Sequence, residues 1–180
     1  VVGAPQKIRW TYSDAKALEE AVAHTLHKTH GLKVTTVRFF NTVGPRQIGQ
    51  YGMVVPRFVS AAISGQDISV YGDGKQTRAF CHIDDVIEAL LLVIDSPKAI
   101  GQVYNIGNNS PVELMDYIAA IEKALGKKAQ VQYLPLQDGD VPNTYADVDD
   151  LVAQFNYKPD TPVEAGIARF VDWYRGYFKV

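Results

Sequence analysis

The chain has 180 residues, which fits one domain or one part of a larger enzyme, and its 47% hydrophobic content argues against intrinsic disorder. Eighteen Lys and Arg against 20 Asp and Glu leave a net charge of −2, which gives no basis for bulk electrostatic binding to nucleic acid or to an anionic membrane. A single cysteine excludes an internal disulfide and a cysteine-rich zinc site, and the longest strongly apolar run, residues 89–94, is too short to span a bilayer. We therefore expect a soluble, cytoplasmic protein, and the missing initiator Met leads us to expect that sequence precedes Val1.

Short β-branched or aromatic runs alternate with helical stretches, a pattern that predicts an α/β fold. The first helix is predicted from Thr11, as its N-cap, to about His30, with Gly31 ending it. The elements predicted next are a buried strand over residues 33–40, a helix near 56–64, a strand over 67–71 with a glycine turn at 72–74, a helix capped by Asp84 that ends before Pro97, and a strand over 102–106.

Two further helix starts carry a recognisable capping pattern. Ser110 and Thr161 are each followed by Pro and, three residues on, by Glu. This order predicts a Ser or Thr cap with Pro at the first helical position. Both patterns would support structure only.

Tyr12 and Lys16 are four residues apart on the first predicted helix and so share one of its faces. A nearby ammonium favours the phenolate by Coulomb attraction, which lets a tyrosine act as a general base near neutral pH. Such a pair can remove a proton from a sugar hydroxyl while a hydride leaves the same carbon. Taken alone, the spacing also fits a surface tyrosine beside a solvated lysine.

The stretch Gly72–Thr77 looks like a phosphate loop but fails both common patterns. Thr77 stands where a dinucleotide fingerprint has its third glycine, and Lys75 is followed by Gln76 where a P-loop has Ser or Thr. What remains is a tight turn that presents Arg78, which could hold a diphosphate bidentately or form a structural salt bridge.

Histidines and the cysteine give weaker signals. His24, His27 and His30 fan over a wide arc of one helix without an acidic or cysteine ligand nearby, so we predict no metal site. Cys81 and His82 are adjacent on a predicted strand and point to opposite faces, so core packing is the better account of Cys81.

Taken jointly, five ordered motifs resemble the C-terminal portion of extended short-chain dehydrogenases/reductases that act on nucleotide sugars. The resemblance covers nearly the whole chain. The motifs are YSDAK at 12–16, RFFNTVGPR at 38–46, VVP at 54–56, YGDGKQTR at 71–78, and GDVP at 139–142 followed by YAD at 145–147.

The resemblance implies the end of a parallel Rossmann-type sheet together with a small α/β substrate-binding domain. Residues 1–50 would contain the active-site helix and following strand of the NAD-binding domain. Residues 51–180 would be mainly the nucleotide-sugar-binding domain, with some segments returning to the Rossmann sheet. The family's glycine-rich cofactor loop and its catalytic Ser or Thr would precede this chain.

The resemblance also implies roles for individual residues. Tyr12 would be the catalytic base, Lys16 would hold the nicotinamide ribose of NAD, and Phe39 would lie in the same cofactor site. A nucleotide sugar, with a UDP-sugar favoured, would be bound at its diphosphate by Asn41 and Arg78. The remaining substrate-binding positions would be Val55 and Tyr71 near the base, Asp140 near the ribose, and Gln76.

By this resemblance we expect the substrate-binding half of a UDP-sugar 4-epimerase that works through a transient 4-keto sugar. The isolated fragment is expected to be inactive, and the full-length enzyme is expected to form a homodimer through the Tyr12 helix. The alternatives are a 4,6-dehydratase, a UDP-glucuronate decarboxylase and a non-catalytic nucleotide-sugar-binding fragment. The stretch 136–147, with Gln137 where galactose-type epimerases often have arginine, resembles UDP-glucuronate 4-epimerases. Met53 replaces an arginine typical of the decarboxylases and counts against decarboxylation.

Overall fold

The computed structural model describes residue 6, residues 10–136 and residues 142–180. Helices and strands alternate along these residues, which confirms the predicted α/β class. The helices are α1 (Thr11–His30), α2 (Val54–Ser64), α3 (Ile83–Ile94), α4 (Leu114–Leu125), α5 (Asp149–Phe155) and α6 (Val163–Phe178). The strands are β1 (Thr36–Phe39), β2 (Thr42–Val43), β3 (Ile68–Tyr71), β4 (Thr77–Arg78), β5 (Cys81–His82), β6 (Val103–Ile106), β7 (Val112–Glu113), β8 (Val131–Leu134) and β9 (Asn143–Thr144).

Most strand pairs are parallel, as the predicted alternation requires. β1 pairs with β6, β2 with β5 and β3 with β8, all in parallel. β4 lies between antiparallel β7 and parallel β9. Within the described residues β6 is the one strand that pairs with β1, so the other edge of β1 is open.

Two hydrophobic cores hold these elements together. The larger core lies between α2, α4, α6 and β3, with Phe170 and Ile121 fully buried in it. The second core lies between α3, α5, β5 and β6, around Tyr157 and Ile106.

The domain boundary predicted near residue 50 stays a prediction.

The segment formed by residues 77–82, which includes β4 and β5, is held from several sides. The hydroxyl of Tyr117, on α4, donates to the Arg78 carbonyl at 3.1 Å and accepts from the Phe80 N–H at 3.4 Å. Asn108 Nδ2 donates to the Phe80 carbonyl at 3.3 Å. Together with the Ala79 N–H, which donates to the Thr144 carbonyl at 3.0 Å, these bonds satisfy much of the backbone between the two short strands.

The helix ends match the sequence patterns better than the helix starts do. Gly31 ends α1 in the left-handed conformation at φ 67°, as predicted. Thr11 as N-cap is wrong, because Thr11 is already helical and Trp10 occupies the N-cap position. Asp84 as N-cap of α3 is also wrong, since His82 holds that position and its side chain accepts the Asp84 N–H at 3.2 Å.

At the two Pro-containing helix starts, tertiary contacts replace the predicted capping. Glu113 belongs to β7, which pairs with β4, so α4 begins only at Leu114. Pro162 precedes α6 at its N-cap, and the Thr161 hydroxyl donates to Asp85 at 2.6 Å instead of capping the helix. Both caps predicted at Ser110 and Thr161 are therefore wrong.

The strand predicted over residues 33–40 is shorter and less buried than expected. It forms over Thr36–Phe39, and Arg38 and Phe39 are exposed. The open edge of β1 accounts for this exposure, because a parallel strand is buried only when neighbours flank it and both faces are covered.

Among the described residues, no helix combines the length and apolar character needed to cross a membrane.

His82 is a buried histidine at the start of α3. It is 3% exposed, and its Nε2 atom has no hydrogen-bond partner among the described residues. Burial lowers its pKa, the Arg169 charge acts in the same direction, and Asp84 and Asp85 act against it. The neutral imidazole is therefore the form that suits the folded chain.

We expect the unfolding free energy to fall as pH drops through about 6.5 towards the lower folded-state pKa of His82, because the unfolded chain then binds more protons. The substitution His82→Asn removes the titration and keeps a good N-cap acceptor, so it should flatten this loss. Denaturant unfolding at several pH values between about 8 and 5 measures the unfolding free energy of wild type and variant. The matched control is His24→Asn, at an exposed histidine of α1. An equal loss of stability in His82→Asn and wild type would contradict the assignment.

Candidate active site

Tyr12 and Lys16 lie side by side on the exposed face of α1. Tyr12 is 74% exposed, and Lys16 Nζ lies 5.8 Å from the centroid of its ring. Lys16 Nζ also pairs with Glu19 at 2.8 Å. That hydrogen bond raises the pKa of Lys16, so the side chain is an ammonium at neutral pH. The predicted juxtaposition of phenol and ammonium is therefore present.

Asn41 follows β1 and is tied to the 77–82 segment. Its φ of 29° lies in the left-handed region, which asparagine tolerates better than most residues. Its carbonyl accepts the Cys81 N–H at 3.1 Å, and Thr42 then starts β2 beside β5. Cys81 is three residues beyond Arg78, so the structure links the two predicted diphosphate ligands through one short stretch of chain.

Arg78 lies on β4 beside the late loop. Its Nη1 donates to the carbonyls of Thr77, at 2.8 Å, and Pro142, at 3.3 Å. The backbone N–H of Thr77 donates to the same Pro142 carbonyl at 2.8 Å. Asp140, predicted to bind the ribose, lies outside the described residues, as do Gln137 and Gly139. Pro142, the first described residue after them, is nevertheless held against Arg78.

The remaining predicted site residues, three for substrate and Phe39 for the cofactor, lie in three places. Gln76 Nε2 donates to the Tyr71 carbonyl at 2.8 Å, which closes the glycine turn between them. Val55 is 2% exposed and belongs to the larger core. Only its backbone N–H, in the first turn of α2, is left to meet a ligand, because the first N–H groups of a helix lack intrahelical partners. Phe39 is 56% exposed at the end of β1.

Tyr117 and Asn108 are site-supporting residues that the sequence reasoning missed. They contact the backbone on either side of Ala79, just after Arg78. Tyr117 is buried in the larger core, and burial raises its pKa to about 12, so its hydroxyl stays a neutral hydrogen-bonding group. Helical periodicity can indicate that Tyr117 is buried, but no local signal shows that its hydroxyl reaches a strand 39 residues earlier.

The other titratable candidates do not form a second site. Cys81 is fully buried, as predicted, and burial raises its pKa to about 11, so it is not a thiolate nucleophile at neutral pH. His27 Nδ1 lies 2.8 Å from the Leu32 carbonyl at the end of α1. No group of three His, Cys, Asp or Glu side chains suited to a metal occurs in the part of the chain described.

One end of a dinucleotide fits these residues. An exposed phenol and an ammonium offer donors to the hydroxyls of a nicotinamide ribose, and the raised pKa of Lys16 keeps its charge. The 180 residues contain no G-x-G-x-x-G motif, so they lack the glycine amides that usually hold the pyrophosphate.

Comparisons with known proteins point in one direction. Curated relatives include Protein CapI of Staphylococcus aureus, 40% identical over 93% of this chain and 55% of that protein. A probable UDP-glucuronate 4-epimerase of Rhizobium meliloti is 36% identical over 91% of this chain and 52% of its own length. A UDP-N-acetyl-alpha-D-glucosaminuronate decarboxylase of Bacillus cytotoxicus is 35% identical over 96% of this chain and 56% of its own. The chain thus spans about half the length of the curated relatives it matches.

Solved structures of similar fold show the same relation. UDP-glucuronic acid 4-epimerase from Bacillus cereus, crystallised with UDP-glucuronic acid and NAD, matches with a TM-score of 0.84 and 26% identity, over 98% of this chain and 57% of that one. dTDP-glucose 4,6-dehydratase from Bacillus anthracis, in complex with NAD, matches with a TM-score of 0.81 and 28% identity, over 98% and 54%. These matches support the predicted C-terminal part of an extended Rossmann-type fold.

The family match agrees with the fold and with the paired side chains of α1. It extends over residues 2–107, more than half of the chain, and includes Tyr12, Lys16, Asn41 and Arg78. The chain belongs to the NAD dependent epimerase/dehydratase family.

Proposed function

We propose that this chain is the substrate-binding half of an NAD-dependent UDP-sugar 4-epimerase. The observation that carries the proposal is the pairing of Tyr12 with Lys16 on a helix face that faces solvent, in a chain whose Asn41 is bonded to the segment that carries Arg78. Several relatives and matched structures are named as UDP-glucuronate 4-epimerases, which supports the choice of reaction.

Tyr12 would act on the sugar hydroxyl at C4. Its Oη atom takes the hydroxyl proton, and the Lys16 ammonium stabilises the resulting phenolate and donates to the ribose of the cofactor. NAD, when bound, supplies the redox chemistry by accepting the C4 hydride and returning it. After the 4-keto sugar has turned, the hydride would return to the opposite face of C4 and Tyr12 would return the proton to the C4 oxygen, which completes the epimerisation.

Asn41 and Arg78 would hold the nucleotide end while the sugar turns. A guanidinium offers two parallel donors to phosphate oxygens, and the Asn41 side-chain amide offers a further donor. Tyr71, Gln76 and the Val55 N–H would surround the base, with Asp140 at the ribose. Holding only the diphosphate and nucleoside leaves the hexose free to present either face to Tyr12.

A homodimer through α1 is part of the proposal. α1 buries none of its residues, and Leu18, Val22 and Leu26 form an exposed apolar stripe at four-residue spacing along it. Sedimentation of the full-length enzyme, meaning a chain of about the relatives' length that contains residues 1–180, tests this. A monomeric full-length enzyme would contradict the proposed homodimer.

The cytoplasmic location of the protein stays a prediction.

Product analysis decides between the 4-epimerase and its rivals. The full-length enzyme is incubated with UDP-glucuronate, UDP-glucose and UDP-N-acetylglucosamine, and the products are separated and identified. We expect the C4 epimer of at least one substrate. Release of CO₂ would identify a decarboxylase, and a 4-keto-6-deoxy sugar would identify a dehydratase. No product and no binding of any UDP-sugar would reject the proposal.

Tyr12→Phe in the full-length enzyme should abolish most turnover and keep the affinity for UDP-sugar within a few-fold. Removal of a general base typically costs about 10²–10⁴ in rate, whereas the remaining ring still fills the same space. Steady-state kinetics and calorimetry measure the two effects. Tyr177→Phe, at an exposed tyrosine of α6, is the matched control. A near wild-type kcat in Tyr12→Phe would remove Tyr12 from the catalytic step.

Arg78→Ala should weaken UDP binding roughly tenfold to a hundredfold, since a charge-assisted hydrogen bond contributes about 1.5–3 kcal/mol. Arg78→Lys should recover only part of this, because lysine lacks the planar fork. Calorimetry with UDP gives the affinity, and the thermal midpoint is read on the same samples. The exposed Arg175 of α6 provides the control substitution, Arg175→Ala. Unchanged UDP affinity with a lowered midpoint would instead show that Arg78 is a structural residue.

A further inference from the structure

A bidentate ion pair joins α1 to β1. Arg38 Nε donates to Glu20 Oε1 at 2.7 Å, and Arg38 Nη2 donates to Glu20 Oε2 at 2.5 Å. The Arg38 hydrogen bond lowers the pKa of Glu20, and the Glu20 hydrogen bond raises the pKa of Arg38, so both side chains are charged at neutral pH. Two parallel bonds fix the mutual orientation of the groups as well as their distance.

Glu20 lies on the same face of α1 as the proposed catalytic pair. Tyr12, Lys16 and Glu20 are spaced by four residues, which stacks them along one side of the helix. Because α1 buries none of its residues, core packing does little to define its rotation about its own axis. The Glu20–Arg38 pair supplies a fixed point eight residues from Tyr12.

Arg38 connects that fixed point to the substrate side. It lies on β1, three residues before Asn41. Gly31 reverses the chain after α1, and His27, near the end of α1, lies close to Gly101, just before β6. The end of α1 therefore lies near the start of β6, and Glu20, earlier in α1, lies beside Arg38 in the second half of β1. Because β1 and β6 are parallel, α1 runs antiparallel to both, which places Tyr12 towards the strand end that leads to Asn41.

We propose that Glu20 and Arg38 are positioning residues that set the rotation of α1, so that Tyr12 and Lys16 face the substrate held at Asn41. This inference rests on the proposed function. An exposed ion pair adds little to stability, so its use here is geometric. A misplacement of about 1 Å in a catalytic group can cost on the order of 10²-fold in rate, which a few degrees of helix rotation would produce.

The test uses Glu20→Gln, Arg38→Lys and the exchanged pair Glu20→Arg with Arg38→Glu in the full-length enzyme. We expect kcat to fall roughly tenfold to a hundredfold in each single variant. The KM for UDP-sugar and the thermal midpoint should stay close to wild type. The exchanged pair should regain most of the lost kcat, because it restores two parallel bonds. Lys128→Gln, which removes the Lys128–Glu122 pair at the end of α4, is the matched control.

The outcomes separate this inference from the proposed function. A kcat within about twofold of wild type in Glu20→Gln overturns the inference, as does a loss that follows the thermal midpoint and is not rescued by exchange. If the wild-type enzyme shows no turnover, the proposed function fails. Hydrogen exchange of the α1 amides then tests the pair by itself. Faster exchange around Lys16 in Glu20→Gln supports a positioning role, and unchanged exchange overturns it.

Discussion

The segment at residues 77–82 is the constraint on which the described structure depends. Its first half lies between β7 and β9, its second half pairs with β2, and its last residue caps α3. Between the two halves, Tyr117 and Asn108 satisfy the backbone at positions 78 and 80. The larger core contributes one of these groups through α4, and the segment itself enters the second core at Cys81. Displacing it would disturb both cores together.

This arrangement gives the two sides of the candidate site different supports. Asn41 and Arg78 are held by backbone bonds of the 77–82 segment and by the late loop at Pro142. The Tyr12–Lys16 pair lies instead on a helix without buried residues, joined to β1 by an ion pair. Under the proposed function, a rigid platform for the diphosphate and a separately adjusted proton-transfer group would suit a reaction in which the substrate rotates between two half-steps.

Sequence reasoning succeeded where the information is local. The α/β alternation, the Gly31 helix end and the Tyr12–Lys16 spacing each depend on residues within a few positions of one another, and the structure contains all three. The start of α4 failed because pairing with β4, more than thirty residues away, turns Val112 and Glu113 into a strand. The sequence predicts His82 as a strand residue, yet it also caps α3, although it is not one of the usual Ser, Thr, Asp or Asn caps.

The candidate site residues divide in the same way between local and long-range information. Motif order predicts Arg78 and Asn41 as diphosphate ligands, but the bond that links Asn41 to the segment of Arg78 through Cys81 is a property of the folded chain. Val55 is predicted from the VVP motif to bind substrate, and only the structure shows that its side chain belongs to the core. Tyr117 and the Glu20–Arg38 pair combine residues from distant elements, for which neither spacing nor composition gives a signal.

The open edge of β1 has a practical consequence. On that edge the N–H and C=O groups of β1 have no strand partner among the described residues, so they form a template to which another strand can add, and the exposed Phe39 gives that strand apolar surface to cover. Produced alone at high concentration, the 180-residue chain would therefore self-associate through this edge. The same edge suits it to complementation in two pieces: a separately produced polypeptide ending in a matching parallel strand would dock there, suppress the self-association and reconstitute a split protein.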